Sequence, residues 1–369
     1  MIVVIITSII ATILVLFGRI QKPDRWLKIG FVLVTFLGCI HYNYGNDYKS
    51  YYSGWETISF YSNYDILSSI WNIQGRDSFE LGWVILNKIF GFDDGFYYMV
   101  AFINIIEGGI YYKFIKRFVS PQSFSWAFFL YVFTSQFYLL NFSMMRQGLA
   151  MALVLLSFIF LCNNNIKKMV LVLVIAVSMH TSAIIVIPFL VLCKFVEKIN
   201  AKFIAALLLF VCGFVYIASS YTEYIFNIII SMSTFEDYKL LYAGDTVKES
   251  YGLGFALLLI PYIIMIYFMI VKRKTISIEE KSMILLSFVA LLLKPFEAIG
   301  AQLIARVGYY FSVFNIAIVP ALYVKINNPI IKILAYVLLL IITIYSYMMF
   351  YEDPVYRDSF SEFHSIFDL

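Results

Sequence analysis

Apolar residues run through this chain in long blocks, and the polar residues gather between them. Blocks approaching the roughly 20 residues that a helix needs to cross hydrocarbon occupy 1–17, 29–45, 95–112, 122–142, 147–162, 167–180, 181–193, 203–220, 252–271, 283–296, 305–324 and 332–350. The pattern predicts an all-α, polytopic membrane protein of about twelve transmembrane helices, the sixth and seventh short. The first block has no basic segment before it and no small-residue cleavage site. It is followed at once by Arg19, Lys22, Arg25 and Lys28, so a retained span is expected and not a signal peptide. With 369 residues, one transmembrane domain uses nearly the whole chain and no separate soluble domain fits.

Composition agrees: 62% of residues are hydrophobic and 14% charged, against about one-quarter charged in a soluble domain. The segments 18–28, 113–118, 163–168, 194–202, 272–281 and 325–332 hold 18 of the 27 Lys and Arg. Strict alternation puts all six on one side, which the positive-inside rule makes cytoplasmic. The other side receives 46–94, 221–251 and the tail from Tyr351, each with more acidic than basic residues, and both termini lie outside. The net charge of +4 is therefore a topology signal. No basic stripe with interleaved stacking residues implies nucleic acid. Cys39, Cys162, Cys193 and Cys212 lie in or at the ends of apolar blocks without metal or redox spacing, and four reduced, buried thiols are expected. His41, His180 and His364 are too scattered to suggest a metal site, and the absence of a Walker-type loop argues against an ATP-driven pump.

Two external segments are long enough to be shaped, 46–94 and 221–251. In the first, Trp55, Trp71, Trp83 and many Tyr suit the headgroup level. Its last part places Phe79, Leu81, Val84, Ile85 and Ile89 at helical spacing but is too short to span, so an interfacial or re-entrant helix is expected, with Glu80 near its start. Beside a sugar, Asp47, Tyr48 and Glu80 could hold or deprotonate hydroxyl groups; for the aromatics as a class, a membrane-surface belt is the plainer reading.

Charges at the span ends carry more information. Arg146 opens a span on the outside, and Lys167 lies 21 residues on, about 31 Å at helical rise and close to one hydrocarbon thickness. Arg306 repeats the geometry with Lys325, at about 28 Å. Taken singly these are snorkelling anchors; as a pair in one leaflet, two forked guanidinium groups suit an anion such as phosphate. His180 lies only 12 residues from Lys168 and 14 from Lys194, which sinks the turn Met179-His180-Thr181-Ser182 about 10 Å below the outer face. Non-helical backbone at that depth is buried in protein or lines a watered cavity, so His180 is either a neutral histidine satisfied by neighbours or a general base or phosphate donor. Lys294-Pro295-Phe296-Glu297 ends another short block, where Lys294 pairs with Glu297 or adds a third cation. Glu107, mid-span, either pairs within the bundle or carries protons in a transporter.

The strings Gly45-Asn46-Asp47-Tyr48 with Tyr51, Glu80-Leu81-Gly82-Trp83, Arg146-Gln147-Gly148-Leu149-Ala150, His180-Thr181-Ser182-Ala183 and Ala305-Arg306-Val307-Gly308-Tyr309-Tyr310-Phe311, in this order over about 40–320, resemble the EpsG family of Wzy-type polymerases. The tail Tyr351-Glu352-Asp353-Pro354-Val355-Tyr356 matches the family's terminal element loosely and receives no role. The resemblance implies polymerisation of O-antigen, capsule or exopolysaccharide repeat units at the outer face of the bacterial plasma membrane. Polyprenyl-pyrophosphate-linked oligosaccharides serve as both donor and acceptor, with no cofactor and no metal, and with a chain-length regulator and a flippase as further partners. On that reading Arg146 and Arg306 hold the pyrophosphate. His180 leads Glu80 and Asp47 as the base, and Gln147, Tyr48 and Tyr310 contact substrate. A lipid-linked oligosaccharide flippase or other secondary transporter is the alternative, for which inverted repeats are missing. A membrane acyltransferase is a third, opposed by the outward placement of His180.

Overall fold

The computed structural model describes residues 1–18, 20–59, 79–200, 203, 207, 210, 257–294 and 302–368. Those residues are almost wholly helical, and they group into two compact units: 1–184 with 343–369, and 185–342.

The first unit starts with α1 (Ile2–Gly18) and α2 (Pro23–Ile40). On α1 the buried positions are Val4, Ser8, Ala11, Val15 and Gly18, whereas Ile6, Ile9, Ile10, Ile13 and Phe17 are exposed. Small residues face the neighbour and large apolar ones face outward, the arrangement by which helices approach closely when the surroundings are lipid. α3 (Tyr48–Ser59), α4 (Leu81–Ile89), α5 (Gly95–Phe118) and α6 (Phe124–Phe133) follow. α7 (Met145–Cys162) is buried on most of its surface and turns through Asn163-Asn164-Asn165 into α8 (Ile166–Met179). Asn164 takes a left-handed φ of 55°, and the Asn165 side chain caps α8 by accepting the Lys168 N–H at 3.2 Å.

The second unit contains α9 (Val186–Cys193), α10 (Ile260–Ile270), α11 (Ile278–Leu293), α12 (Gln302–Ser312) and α13 (Asn315–Tyr323). α11 opens on a capping box: Ser277 Oγ accepts from the Glu280 N–H, and the Ser277 N–H donates to the Glu280 carboxylate. α14 (Pro329–Glu352) follows, its residues from Thr343 on belonging to the first unit. Exposed Ile330, Ile333, Leu334, Val337, Ile341 and Ile344 give it the surface of a lipid-facing helix.

Among the described residues the apolar blocks are helical, two of them interrupted, while α3 forms outside any block. The 122–142 block holds a helix only to Phe133; residues 134–144 coil through tight turns, with the Tyr138 hydroxyl donating to the Val34 carbonyl at 2.9 Å. Residues 137–145 are buried, so neighbouring protein satisfies this irregular backbone. The 305–324 block divides at Val313-Phe314, beside Ser312, whose hydroxyl donates to the Tyr309 carbonyl at 3.3 Å. Two helices, Met145–Cys162 and Pro329–Glu352, are long and apolar enough to cross a membrane by length and composition among the described residues. Most of 203–220 and all of the 221–251 loop, including Cys212, lie outside the described residues. Cys39, Cys162 and Cys193 are free thiols; Cys193 is buried, while Cys39 and Cys162 are half-buried at helix ends where neighbours cover them from fewer directions.

Two contacts set the surroundings of α7. The C-terminal tail returns to the chain after α2: β1 (His41–Tyr42) pairs antiparallel with β2 (His364–Ser365). The Gly45 N–H bonds the Ser359 carbonyl at 3.0 Å, and Tyr44 packs against Phe360, Phe363 and Phe142. On the other side, α4 crosses the end of α8 at Gly82, where an added Cβ would stand 2.3 Å from Ser178 Oγ and 2.8 Å from its carbonyl oxygen. Gly82→Val is therefore expected to lower stability by about 1–3 kcal/mol through overpacking. Gly109→Ala meets nothing within 4 Å and should be neutral or stabilising by up to about 1 kcal/mol. Thermal unfolding in detergent measures both.

Candidate functional site

Three candidates from separate parts of the first unit meet at one carboxylate. α4 begins immediately after Glu80, which occupies the cap position with extended backbone (φ −61°, ψ 144°) and a side chain that makes no cap bond to the helix. The close approach at Gly82 brings that carboxylate to the end of α8. There the helix stops at His180 (φ −153°, ψ 115°) before a 3-10 turn over Thr181–Ile185. Glu80 Oε1 lies 2.9 Å from His180 Nδ1 and accepts the Thr181 N–H at 3.2 Å. Its other oxygen, Oε2, accepts from Arg146 Nη1 at 2.5 Å.

Arg146 stands in the first turn of α7. Its guanidinium carbon lies 5.6 Å from the ring centre of Tyr51 and 5.3 Å from that of Phe79, so two aromatic faces flank the cation. The Arg146 Nε–H is buried and, among the described residues, finds no acceptor. The side chains of Arg146, Glu80 and His180 keep 25%, 16% and 27% of their surface accessible, so the cluster is sheltered yet reachable.

Beneath it, Asn141 donates to Glu107 Oε2 at 3.0 Å, the bundle partner expected for that acid. A Cβ on Gly148 would sit 2.6 Å from Asn141 Oδ1 and 2.8 Å from Glu107 Oε1, so only glycine lets the first turns of α7 lie against this pair. The Asp47 N–H donates to Ser143 Oγ at 3.2 Å, and that hydroxyl bonds Asn46, fixing the start of α3 to the turn before α7. Asp47 is also close enough for its charge to act on the Tyr51 hydroxyl.

The remaining candidates are placed differently. Tyr48 is 2% exposed, ringed by His41, Tyr42 and Phe96, and Gln147 is 3% exposed. Both are buried and do not line an open surface. Arg306 and Tyr310 lie on α12 in the second unit, half-buried and fully buried respectively; Glu297 is outside the described residues. Sequence reasoning assigned nothing to Tyr51, Phe79, Gly82 or the Thr181 N–H. The signals available were the closeness of Phe79 and Gly82 to Glu80 in sequence and the presence of Tyr51, Gly82 and Thr181 in the strings that resemble the family.

Electrostatics follow the geometry. Burial works to raise the Glu80 carboxyl, but the hydrogen bond to His180 and the charge of Arg146 outweigh it and hold the group at about 2, down from 4.5. Burial pushes the Tyr51 hydroxyl up, with Arg146 pulling the other way.

A carboxyl depressed on folding contributes stability that is fully present above its unfolded value of 4.5 and is lost as the pH falls towards about 2. The thermal midpoint of the wild type should therefore drop across that window more steeply than that of Glu80→Gln. Parallel curves would show that the carboxylate is not held as described.

The model of the EpsG family matches residues 25–363. Neither curated proteins nor solved structures give a significant match. The matched span contains every helix from α3 to α14 and all three members of the cluster, and on that evidence the chain belongs to the EpsG family of Wzy-type polymerase-like membrane proteins of polysaccharide biosynthesis.

Proposed function

We propose that this protein is a polysaccharide polymerase joining polyprenyl-pyrophosphate-linked oligosaccharide units at the outer face of the bacterial plasma membrane. A topology of about twelve spans with both termini outside belongs to the same proposal. The observation that carries it is the convergence of Arg146, Glu80 and His180, residues far apart in sequence that each suit one part of this chemistry.

In the reaction, the acceptor hydroxyl attacks the anomeric carbon of the donor sugar while the bond from that carbon to the pyrophosphate oxygen breaks. The leaving polyprenyl pyrophosphate takes the electron pair, and the hydroxyl proton passes to a base. Negative charge grows on the leaving group, and preorganised cations in a sheltered site stabilise it most. Arg146 supplies such a cation, with one buried N–H still free of an acceptor among the described residues. Arg306 is proposed as the second, on the strength of its matching position in the sequence. His180 takes the proton: with Nδ1–H given to Glu80, its Nε2 carries the lone pair for the acceptor hydroxyl. Asp47 is the reserve candidate. In a flippase or other transporter Glu107, Lys294 and Glu297 would be the translocation charges; the bond of Glu107 to Asn141 suits a structural role for that acid.

Arg146→Ala is expected to cut chain elongation by about 100-fold or more, the usual scale for losing a transition-state charge partner, while single-unit surface material persists. Arg306→Ala should act in the same direction. Gel profiles of surface glycan from complemented deletion strains read both. Loss of single units along with polymer would indicate translocation, and unchanged chain length in both variants would refute the polymerase mechanism.

A further inference from the structure

We infer that Glu80 is an exchange carboxylate: its Oε2 holds on Arg146 the place that a donor phosphate oxygen takes, while its Oε1 stays anchored to His180 and the Thr181 N–H. The inference rests on the reading of Arg146 as the pyrophosphate ligand and adds how donor binding is linked to the base.

The division of labour between the two oxygens is the starting point. Oε1 engages His180 Nδ1 and a backbone N–H at the end of α8, whereas Oε2 engages Arg146 alone among the contacts described. An arriving anion therefore competes for one oxygen's partner and leaves the other oxygen's partners intact. Glu80 cannot step aside by taking up a proton near neutral pH, because its carboxyl titrates at about 2. It leaves Arg146 by displacement, and its side chain, which makes no cap bond to α4, can turn about the fixed Thr181 N–H.

Two consequences follow. Before donor binds, the carboxylate satisfies a partly buried guanidinium that would otherwise lack an anion, and it does so at a cost to donor affinity. Once donor binds, Oε2 gives up Arg146 while Oε1 keeps the His180 ring oriented, so the base is held in place with a leaving group present. Among the described residues, the charged or titratable groups around Glu80 are Arg146 from α7, His180 after α8 and Tyr51 from α3, with Asp47 acting on Tyr51. Glu80 is in this account a positioning residue: it acts through Arg146 and His180 and never touches the sugar.

The test uses the full chain in lipid nanodiscs, with inorganic pyrophosphate as the binding probe and lipid-linked repeat unit for turnover. If Glu80 leaves Arg146 free about one-tenth of the time, Glu80→Gln should bind pyrophosphate about tenfold more tightly. The same variant should show a lower KM for donor and a kcat reduced about tenfold or more. Glu80→Asp, which restores the charge, should return probe affinity towards wild type. A residue that merely supports the fold would weaken binding and turnover together. Equal or weaker pyrophosphate binding by Glu80→Gln, with Arg146→Ala abolishing it, overturns the exchange while leaving Arg146 as the phosphate ligand. Undiminished binding by Arg146→Ala removes that ligand assignment and the exchange with it.

Discussion

One carboxylate with three donors organises the first unit. Glu80 joins the start of α4, the first turn of α7 and the end of α8, three points that the chain alone would leave independent. A charge sheltered to this degree is costly without a partner. The arginine needs an anion and the carboxylate needs donors, so each pins the backbone that carries the other. Everything placed around the cluster serves that pairing: the aromatic faces of Tyr51 and Phe79 shelter the guanidinium, and the extended backbone at His180 turns its ring towards the carboxylate.

The pairing is possible because the helices come unusually close. Gly82 lets α4 touch the end of α8, and Gly148 lets α7 lie on the Asn141–Glu107 pair. In a lipid setting helix association depends on such contacts, since apolar burial between helices gains little over contact with acyl chains. A further layer fixes the approach to α7 from outside. The tail is paired to residues 41–45, which lead into Asp47, and Asp47 is tied to Ser143 just before α7. The C-terminal segment is thus connected to the cluster through a short series of hydrogen bonds.

Much of this architecture was legible in the sequence, for identifiable reasons. Hydropathy marks where helices are because each span must be apolar over most of its length; it marks less well where they break, because the polar run Thr134-Ser135-Gln136 that follows the last helical residue, Phe133, is averaged away within a long apolar block. His180 drew attention through the nearness of Lys168 and Lys194, and Arg146 through its place at the start of an apolar block. That they share Glu80 could not be read, since Glu80 is 66 residues from Arg146 and 100 from His180 and no periodicity links them. Tyr48 shows the opposite limit: an aromatic buried among Phe96 and His41 has the same local sequence signature as one at the headgroup level. The expectation that Arg306 joins Arg146 rests on spacing and family resemblance.

The most direct test of the central claim is a double-mutant cycle on unfolding, with Arg146→Gln, Glu80→Gln and the pair combined. Direct contact through a sheltered ion pair predicts a coupling energy of about 1–3 kcal/mol. Additive effects, within about 0.5 kcal/mol, would mean that the two side chains do not meet, and the site built around Glu80 would fall with them.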